Sequence, residues 1–244
     1  MLAFLKVIFY VPLYNGLIFL IGILPSHSVG VAVILFTLLI KLLLAPLSLR
    51  ASRFQLEMKT HEADLNRIKE QHKNDKQAQG KAILEFYKEK KINPFAGIFP
   101  LFVQIPIVIA LYYVFYGGGL PGIDTVLLYS FVPIPEPDMH FFGLNMLDKS
   151  LLLALLAGAA QLAQSHFAMP PAPPKTDTPS MGNDLARGMH MQMKYVLPIF
   201  MGFVAYAVSG AVALYFITSS LFTIAQELWV RRALKKGHEA HTQA

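Results

Sequence analysis

The sequence predicts an all-α integral membrane protein, with a five-transmembrane-helix core and a cytoplasmic antiparallel helical hairpin. Of its 244 residues, 55% are apolar and only 15% are charged, whereas soluble domains carry about 25% charged residues. The charges are also segregated, since residues 50–91 carry eleven Lys or Arg while other stretches of twenty residues carry none or one. Apolar spans joined by hydrated loops have this pattern. The absence of cysteine excludes disulfides and thiol chemistry.

Three spans are clear from their length, at residues 29–49, 95–116 and 150–169. Each is long enough, at about 1.5 Å per residue, to cross roughly 30 Å of hydrocarbon. The apolar run at 195–230 is too long for one crossing. The Ser209-Gly210 pair near its middle predicts a tight turn between two antiparallel helices, each slightly short for the bilayer. The predicted number of spans is therefore five.

The basic residues of the connecting segments set the orientation. Eleven lie in residues 50–92, three in 170–194 and four after Val230, whereas residues 117–148 have none. The positive-inside rule therefore predicts that residues 50–92, residues 170–194 and the C-terminal tail are cytoplasmic. The predicted organisation is an N-terminal apolar segment 1–28, a first core span 29–49, a cytoplasmic hairpin 50–93, spans two to five within 94–230, and a basic cytoplasmic tail 231–244.

The apolar N-terminal segment allows two placements. Residues 1–24 are interrupted by Lys6, Pro12 and Asn15, and they form either a sixth span or a helix in the outer interface. We favour the interface, because aromatic residues and polar breaks suit the headgroup boundary. No small-residue cleavage site follows the apolar run, which argues against a cleaved signal peptide. No Arg- and Ser-rich transit pattern is visible either, which favours a prokaryotic plasma membrane over an organelle.

The hairpin segment has the pattern of a coiled-coil seam. A polar break at residues 74–80 separates two helical patterns, and the second has Ile83, Phe86 and Tyr87 as its apolar members. The segment is either a solvated connector or, together with the basic tail, a contact surface for a ribosome, a targeting factor or a Sec translocon. The seam residues of the first helix, spaced three and four apart, are Ala51, Phe54, Met58, His61, Leu65, Ile68 and His72.

Lys41 is the most informative residue, because it lies inside the first core span. A lysine near the centre of a span costs about 2.5–3.5 kcal/mol on insertion scales. Its distance from the end of the span near Leu49 is roughly 12 Å, about twice what one lysine side chain can bridge by snorkelling. We therefore predict that Lys41 faces water inside the membrane.

Other spans carry polar side chains that could surround this cation. Taken singly, each of these side chains is more typical of a hydrogen bond between helices. The only acidic residue within a span that could pair with Lys41 is Glu227, near the end of the last span. Taken together with this cation, the polar side chains therefore indicate a water-filled cavity. The side chains predicted to line it with Lys41 are Thr37, Gln104, Gln161, Gln164, Tyr215 and Ser219, and the stripe on the last span continues to Thr223 and Gln226.

No catalytic motif is present, since the sequence has no HExxH, no GxSxG and no glycine-rich phosphate loop. We therefore predict no enzyme, no metal and no cofactor. The net charge of +6 comes mostly from the predicted cytoplasmic segments, so it indicates no nucleic-acid specificity.

Three stretches carry a family resemblance. They are Lys41–Pro46, the run from Glu85 to Pro106 that contains Asn-Pro-Phe-Ala-Gly-Ile-Phe-Pro, and the last span with Ser209-Gly210, Leu214-Tyr215, Ser219 and Gln226. In this order they resemble the YidC family of membrane protein insertases, from about residue 29 to the C-terminus.

The resemblance implies a five-helix core around a hydrophilic groove that opens to the cytoplasm and the lipid. A single cation in such a groove draws the hydrophilic flank of a nascent membrane protein part way across the bilayer. Most family members have Arg where this chain has Lys41, so the charge is kept and the bidentate geometry is lost. The residues themselves leave two alternatives, an anion-selective channel or small transporter, and an assembly chaperone that does not insert.

Overall fold

The computed structural model describes residues 6–73, 75–90, 92, 99–115, 119–169, 187–188 and 190–242. This part of the chain is mostly helical, with one two-stranded antiparallel sheet. In chain order its elements are α1 (Lys6–Ile23), α2 (Val29–Thr60), α3 (Glu62–Gln71), α4 (Lys76–Glu89), α5 (Phe99–Phe115), β1 (His140–Phe141), β2 (Leu144–Asn145), α6 (Leu151–Ala168), α7 (Gln192–Val208) and α8 (Gly210–Thr242).

The helices confirm the predicted all-α membrane class. Four of them contain a stretch long and apolar enough to cross a membrane, namely Lys6–Ile23, Val29–Ser52, Leu151–Ala168 and Gly210–Arg232. The described parts of the other two predicted spans form shorter apolar helices, Val103–Phe115 and Gln192–Val208. Residues 95–98 and 116 of the predicted second span lie outside the described residues. The interfacial placement of α1 stays a prediction, because α1 also meets the length criterion for a span.

The turn predicted at Ser209-Gly210 is confirmed. Helix α7 ends at Val208, Ser209 is fully extended, with φ −170° and ψ 166°, and α8 begins at Gly210. The expectation that both flanking helices are short holds for α7 only. Helix α8 has 33 residues, because its polar residues after Val230 continue the helix beyond the apolar stretch.

The core of the bundle lies where α8 packs against α2 and α6. The buried residues of these helices include small ones, among them the fully buried Ala157 and Ala211. Helix α7 packs mainly on α6, and the two helices cross where Gly202 meets Gly158. Small side chains let helix backbones approach closely, which is the main source of helix association inside membranes.

The segment 119–150 joins α5 to α6 and ties several helix ends together. The amide of Val29 donates to the carbonyl of Asp138 at 2.9 Å, and the amide of Gly210 donates to the carbonyl of Asp148 at 2.8 Å. The starts of α2, α6 and α8 and the end of α5 therefore lie at one end of the bundle. We call it the connection end, and the opposite end, from which α2 continues into the hairpin, the hairpin end.

The hairpin forms around the predicted seam. Leu65 and Phe86 are buried against each other's helices, and the ring of His61 lies 5.6 Å from that of Phe86. The side-chain amide of Gln79 donates to the carbonyl of Lys69, so the two arms are antiparallel.

Helix α2 continues without interruption from the span into the first arm of the hairpin, as far as Thr60. One detail of the hairpin differs from expectation. The predicted polar break at 74–80 is too long, because α4 already begins at Lys76. The reason is the Asp75 carboxylate, which accepts hydrogen bonds from the amides of Gln77 and Ala78 at 2.9 and 3.0 Å and so caps the helix.

Candidate functional site

Lys41 lies on α2 about two thirds of the way from the connection end to the predicted end of the span at Leu49. It is twelve residues after Val29, which corresponds to about 18 Å along a helix. Its side chain is partly buried, and its ammonium donates a hydrogen bond to the hydroxyl of Thr223 on α8 at 3.3 Å. The predicted buried cation therefore faces the helix interface rather than lying wholly on the outer surface of the bundle.

A line of polar side chains on α8 runs from Thr223 towards the connection end. Thr223, Ser219 and Tyr215 are four residues apart and so share one face of the helix. The phenol of Tyr215, which is 2% exposed, accepts a hydrogen bond from the side-chain amide of Gln104 on α5 at 2.6 Å. The carbonyl of Ser219 accepts a hydrogen bond from the hydroxyl of Thr223 at 2.9 Å. We call Lys41, Thr223, Ser219, Tyr215 and Gln104 the polar chain.

Helices α2 and α8 make a second polar contact, nearer the hairpin end. The hydroxyl of Ser48 donates to the side-chain carbonyl of Gln226 at 2.9 Å. Sequence reasoning identified Gln226 but missed Ser48. Its position seven residues after Lys41 was the available signal, because two helical turns return to the same face.

Thr37 differs from Lys41 although it lies one turn away on the same helix. Its side chain is 1% exposed, and its hydroxyl donates to the carbonyl of Val33 in its own helix at 2.6 Å. Hydroxyls in helices commonly satisfy themselves in this way. The hydroxyl of Thr37 thus has a partner that is independent of the polar chain.

Gln161, one of the two predicted glutamines of α6, contacts a different face of α8. The side-chain carbonyl of Gln161 accepts a hydrogen bond from the hydroxyl of Ser220 at 2.9 Å. Ser220 follows Ser219 directly, so it points about 100° away around α8. Gln164 lies one turn after Gln161 and is partly buried. The hydrogen bond of Gln161 therefore goes to Ser220 rather than to a member of the polar chain, and the place of both glutamines in a groove stays a prediction.

The charges near Lys41 leave its ammonium without a counter-ion in the described part of the chain. No carboxylate described there forms an ion pair with it. Glu227 is 4% exposed, and it pairs instead with Arg231, whose Nε lies 3.0 Å from the carboxylate. Within the described ranges, no group of three His, Asp or Glu side chains could hold a metal ion. The cation is thus the one strong ligand-binding group of the polar chain.

The fold and the polar chain define a multi-pass helical membrane protein. Between two of its membrane helices lies a cation whose hydrogen-bond partner is a neutral hydroxyl and which has no acidic partner among the described residues. Comparison with known proteins adds the family. The family model described as "60Kd inner membrane protein" matches residues 21–237, and the chain belongs to that family, the YidC membrane protein insertases.

Three relatives show the extent of the similarity. The chain is 31% identical over 220 residues to the membrane protein insertase YidC of Clostridium tetani, covering 90% of this chain and 89% of the relative. It is 32% identical over 208 residues to that of Fusobacterium nucleatum, covering 85% and 87%. The insertase of Francisella tularensis subsp. novicida is 31% identical over 212 residues, which cover 86% of this chain but 34% of the longer relative.

Proposed function

We propose that this protein is a membrane protein insertase of the prokaryotic plasma membrane, which moves the hydrophilic flank of a nascent protein into a groove lined by the polar chain. The observation that carries the proposal is the ammonium of Lys41, which lies deep in the bundle and has a neutral hydroxyl as its partner. A cation kept in a membrane without a carboxylate partner is expensive, so a functional anionic ligand is its best explanation.

The mechanism follows from the cost of moving polar groups through hydrocarbon. A polar segment loses its water on entering the bilayer, and each unsatisfied backbone group then costs several kcal/mol. Side chains such as Gln104, Tyr215 and Thr223 offer hydrogen bonds within the membrane, and Lys41 favours an acidic flank. The apolar segment of the substrate meanwhile partitions into lipid beside the groove, which supplies the driving force without a nucleotide.

The chemistry of lysine restricts what the cation recognises. An ammonium is a compact charge with three donors, whereas a guanidinium binds carboxylates through two parallel hydrogen bonds. With one donor directed at Thr223, two remain for a substrate carboxylate. Lys41 therefore acts as a point attraction on acidic flanks rather than as a geometric receptor for one sequence.

The orientation assigned to the bundle gives the direction of transport. Eleven basic residues in 50–92 and four after Val230 put the hairpin end in the cytoplasm by the positive-inside rule. Substrates then enter from the cytoplasm, and the hairpin and the basic tail meet them first. A ribosome or a targeting factor suits this surface, because each delivers unfolded membrane segments on the cytoplasmic side. A Sec translocon is a further partner that the hairpin and the basic tail could contact from that side.

Insertion into proteoliposomes tests the proposal. Purified protein is reconstituted, a single-span substrate with an acidic flank is added, and insertion is scored by protease protection. Because hydrogen bonds to charged groups contribute about 1.5–3 kcal/mol, we expect Lys41→Ala to lower insertion about tenfold and Lys41→Arg to preserve it. Lys149→Ala, which removes a charge from an exposed position of the connecting segment, is the matched control.

The same vesicles separate the alternatives. A flux of anions without insertion would indicate a channel or transporter, and neither activity would indicate a chaperone that only holds spans during assembly. Equal insertion by Lys41→Ala and the unchanged protein would remove the cation from the mechanism. Lys41→Ala should not change the insertion of a substrate with a neutral flank. This comparison distinguishes attraction by charge from a general loss of structure.

A further inference from the structure

The two-stranded sheet at the connection end carries an aromatic residue in its turn. Phe141 pairs with Leu144, so the turn consists of Phe142 and Gly143 alone. Both residues have positive φ, 49° and 76°, as in a type I′ turn. Glycine and asparagine adopt this backbone readily, whereas a bulky side chain disfavours it. The local backbone is therefore strained at Phe142.

Packing within the described part of the chain does little to compensate for this strain. Phe142 is 91% exposed, the largest exposed fraction of any large apolar residue that the structure describes. Its ring meets that of the adjacent Phe141 edge-on, with 4.7 Å between the centroids. A strained backbone that presents an exposed aromatic ring points to a role outside the packing of the fold.

The sheet is attached to two membrane helices at their starts. Just before β1, the chain accepts a hydrogen bond from the first amide of α2, and just after β2, the carbonyl of Met146 accepts one from the amide of Ala211 in the first turn of α8. Phe141 packs on α2 at Gly30, where a Cβ would overlap its ring. Phe142 therefore stands on a fixed support rather than on a loose loop.

These attachments put the turn at the boundary of the hydrocarbon. The apolar stretches of α2 and α8 begin at Val29 and Gly210, and that of α6 begins at Leu151, six residues after β2. Leu151 and Leu152 are exposed, so the lipid-facing surface of the bundle reaches the level of the sheet. At this level, apolar and aromatic side chains bind a bilayer by entering the boundary between headgroups and acyl chains.

The charges of the segment indicate how it would contact lipid. Residues 119–148 contain four Asp or Glu and no Lys or Arg, so electrostatic attraction to anionic headgroups is absent. Three further large apolar side chains of the same segment are exposed, Val126, Phe131 and Ile134. Contact with the membrane therefore depends on apolar insertion, which is independent of the charge of the lipid.

We propose that Phe142 inserts among the acyl chains of the outer leaflet and anchors the connection end of the bundle to the membrane. The choice of leaflet rests on the orientation given with the proposed function, whereas the insertion of the ring does not depend on insertase activity. Because the sheet is attached to the starts of α2 and α8, the anchored turn holds both helices at a fixed depth. Lys41 and Thr223 lie on these two helices, so the anchor also fixes the depth of the cation.

Tryptophan fluorescence tests the insertion, since Trp229 is the only tryptophan of the chain. Trp229→Phe removes it, and Phe142→Trp then puts one reporter in the turn of the full chain, reconstituted in phosphatidylcholine vesicles. Because an inserted ring lies beside the acyl chains, we expect lipids brominated on those chains to lower its emission about twofold. Iodide, present on both sides of the membrane, should have little effect on the same variant.

A matched control comes from the same segment. Glu136→Trp, in the same Trp229→Phe background, puts the reporter at an exposed position that is charged in the natural chain, and it should be quenched by iodide rather than by brominated lipid. Adding anionic lipid to the vesicles should not change the result for Phe142→Trp, because the segment has no basic residue.

Three outcomes would overturn the proposal. Quenching of Phe142→Trp by iodide alone would place the ring in water, and protection from both quenchers would mean that protein, such as a second copy of the chain, covers it. Equal quenching of Phe142→Trp and Glu136→Trp by brominated lipid would show that the turn is no specific anchor. The assay reports the surroundings of one ring and not the insertion of a substrate, so each of these results would leave the role of Lys41 untouched.

Discussion

The crossing of α6 and α7 allows one substitution, glycine to alanine, to be made on each side of the same contact. A Cβ added at Gly202 would lie 3.2 Å from the Cα of Gly158 and 3.4 Å from the carbonyl oxygen of Ala154. Both neighbours are backbone atoms of α6, so they cannot rotate away. A Cβ added at Gly158 would meet its nearest atom, the Cα of Gly202, at an ordinary 3.8 Å.

The expected magnitudes follow from this asymmetry. Alanine is favoured over glycine in a helix by about 1 kcal/mol, and that gain is common to both variants. Crowding of a well-packed interface typically costs about 1–3 kcal/mol, and it applies only to Gly202→Ala. Relative to Gly158→Ala, Gly202→Ala should therefore lower the free energy of unfolding by about 1–3 kcal/mol.

Reversible unfolding in mixed micelles, followed by circular dichroism, measures both variants under one condition. Gly158→Ala should be neutral or stabilising, and Gly202→Ala neutral or destabilising. The reverse order, or equal free energies of unfolding, would refute the packing of α7 on α6 described here. Each variant is the control for the other. Any effect that alanine has on a helix in general is therefore absent from the difference between their free energies of unfolding.

Two further predictions concern the hairpin end. Arg231 pairs with Glu227 and also donates to the carbonyl of Phe167. Arg231→Ala would leave the buried Glu227 carboxylate without this partner. We expect the free energy of unfolding to fall by about 2 kcal/mol in the same assay, less than for a fully buried pair, because Arg231 is 43% exposed. Adding Glu227→Gln to Arg231→Ala should recover part of that loss. If the effects of the two substitutions on the free energy of unfolding were strictly additive, that result would contradict the ion pair. For the hairpin, Asp75→Ala should cost about 1 kcal/mol of helix stability by removing the cap, detected as faster hydrogen exchange at Gln77, whereas unchanged exchange would show that the cap is dispensable.

The sequence predicted the membrane class, the turn at Ser209 and the hairpin seam because each depends on local properties. An apolar run must match the hydrocarbon thickness, and a Ser-Gly pair favours a turn in the middle of a run that is too long for one crossing. The depth of Lys41 could also be counted along one helix. These inferences need no knowledge of which helices are neighbours.

Boundaries were harder to predict where a polar helix continues an apolar one. Helix α8 extends to Thr242, twelve residues beyond Val230, since hydrogen bonding along the backbone does not stop at the end of an apolar run. The early start of α4 depended on one capping carboxylate, Asp75. Composition alone does not distinguish a polar loop from a polar helix.

The sequence by itself determined that this chain is an integral membrane protein, that one of its spans carries a cation, and which family it resembles. Only the tertiary structure decided that Lys41 meets Thr223, 182 residues away, and that Gln161 belongs to a separate interface. The physical reason is that lipid and protein interior are equally apolar, so a membrane helix has no hydrophobic period to reveal its inner face. The rotation of each helix is instead set by close packing of small residues such as Gly158 and Gly202, and packing depends on the partner as much as on the chain.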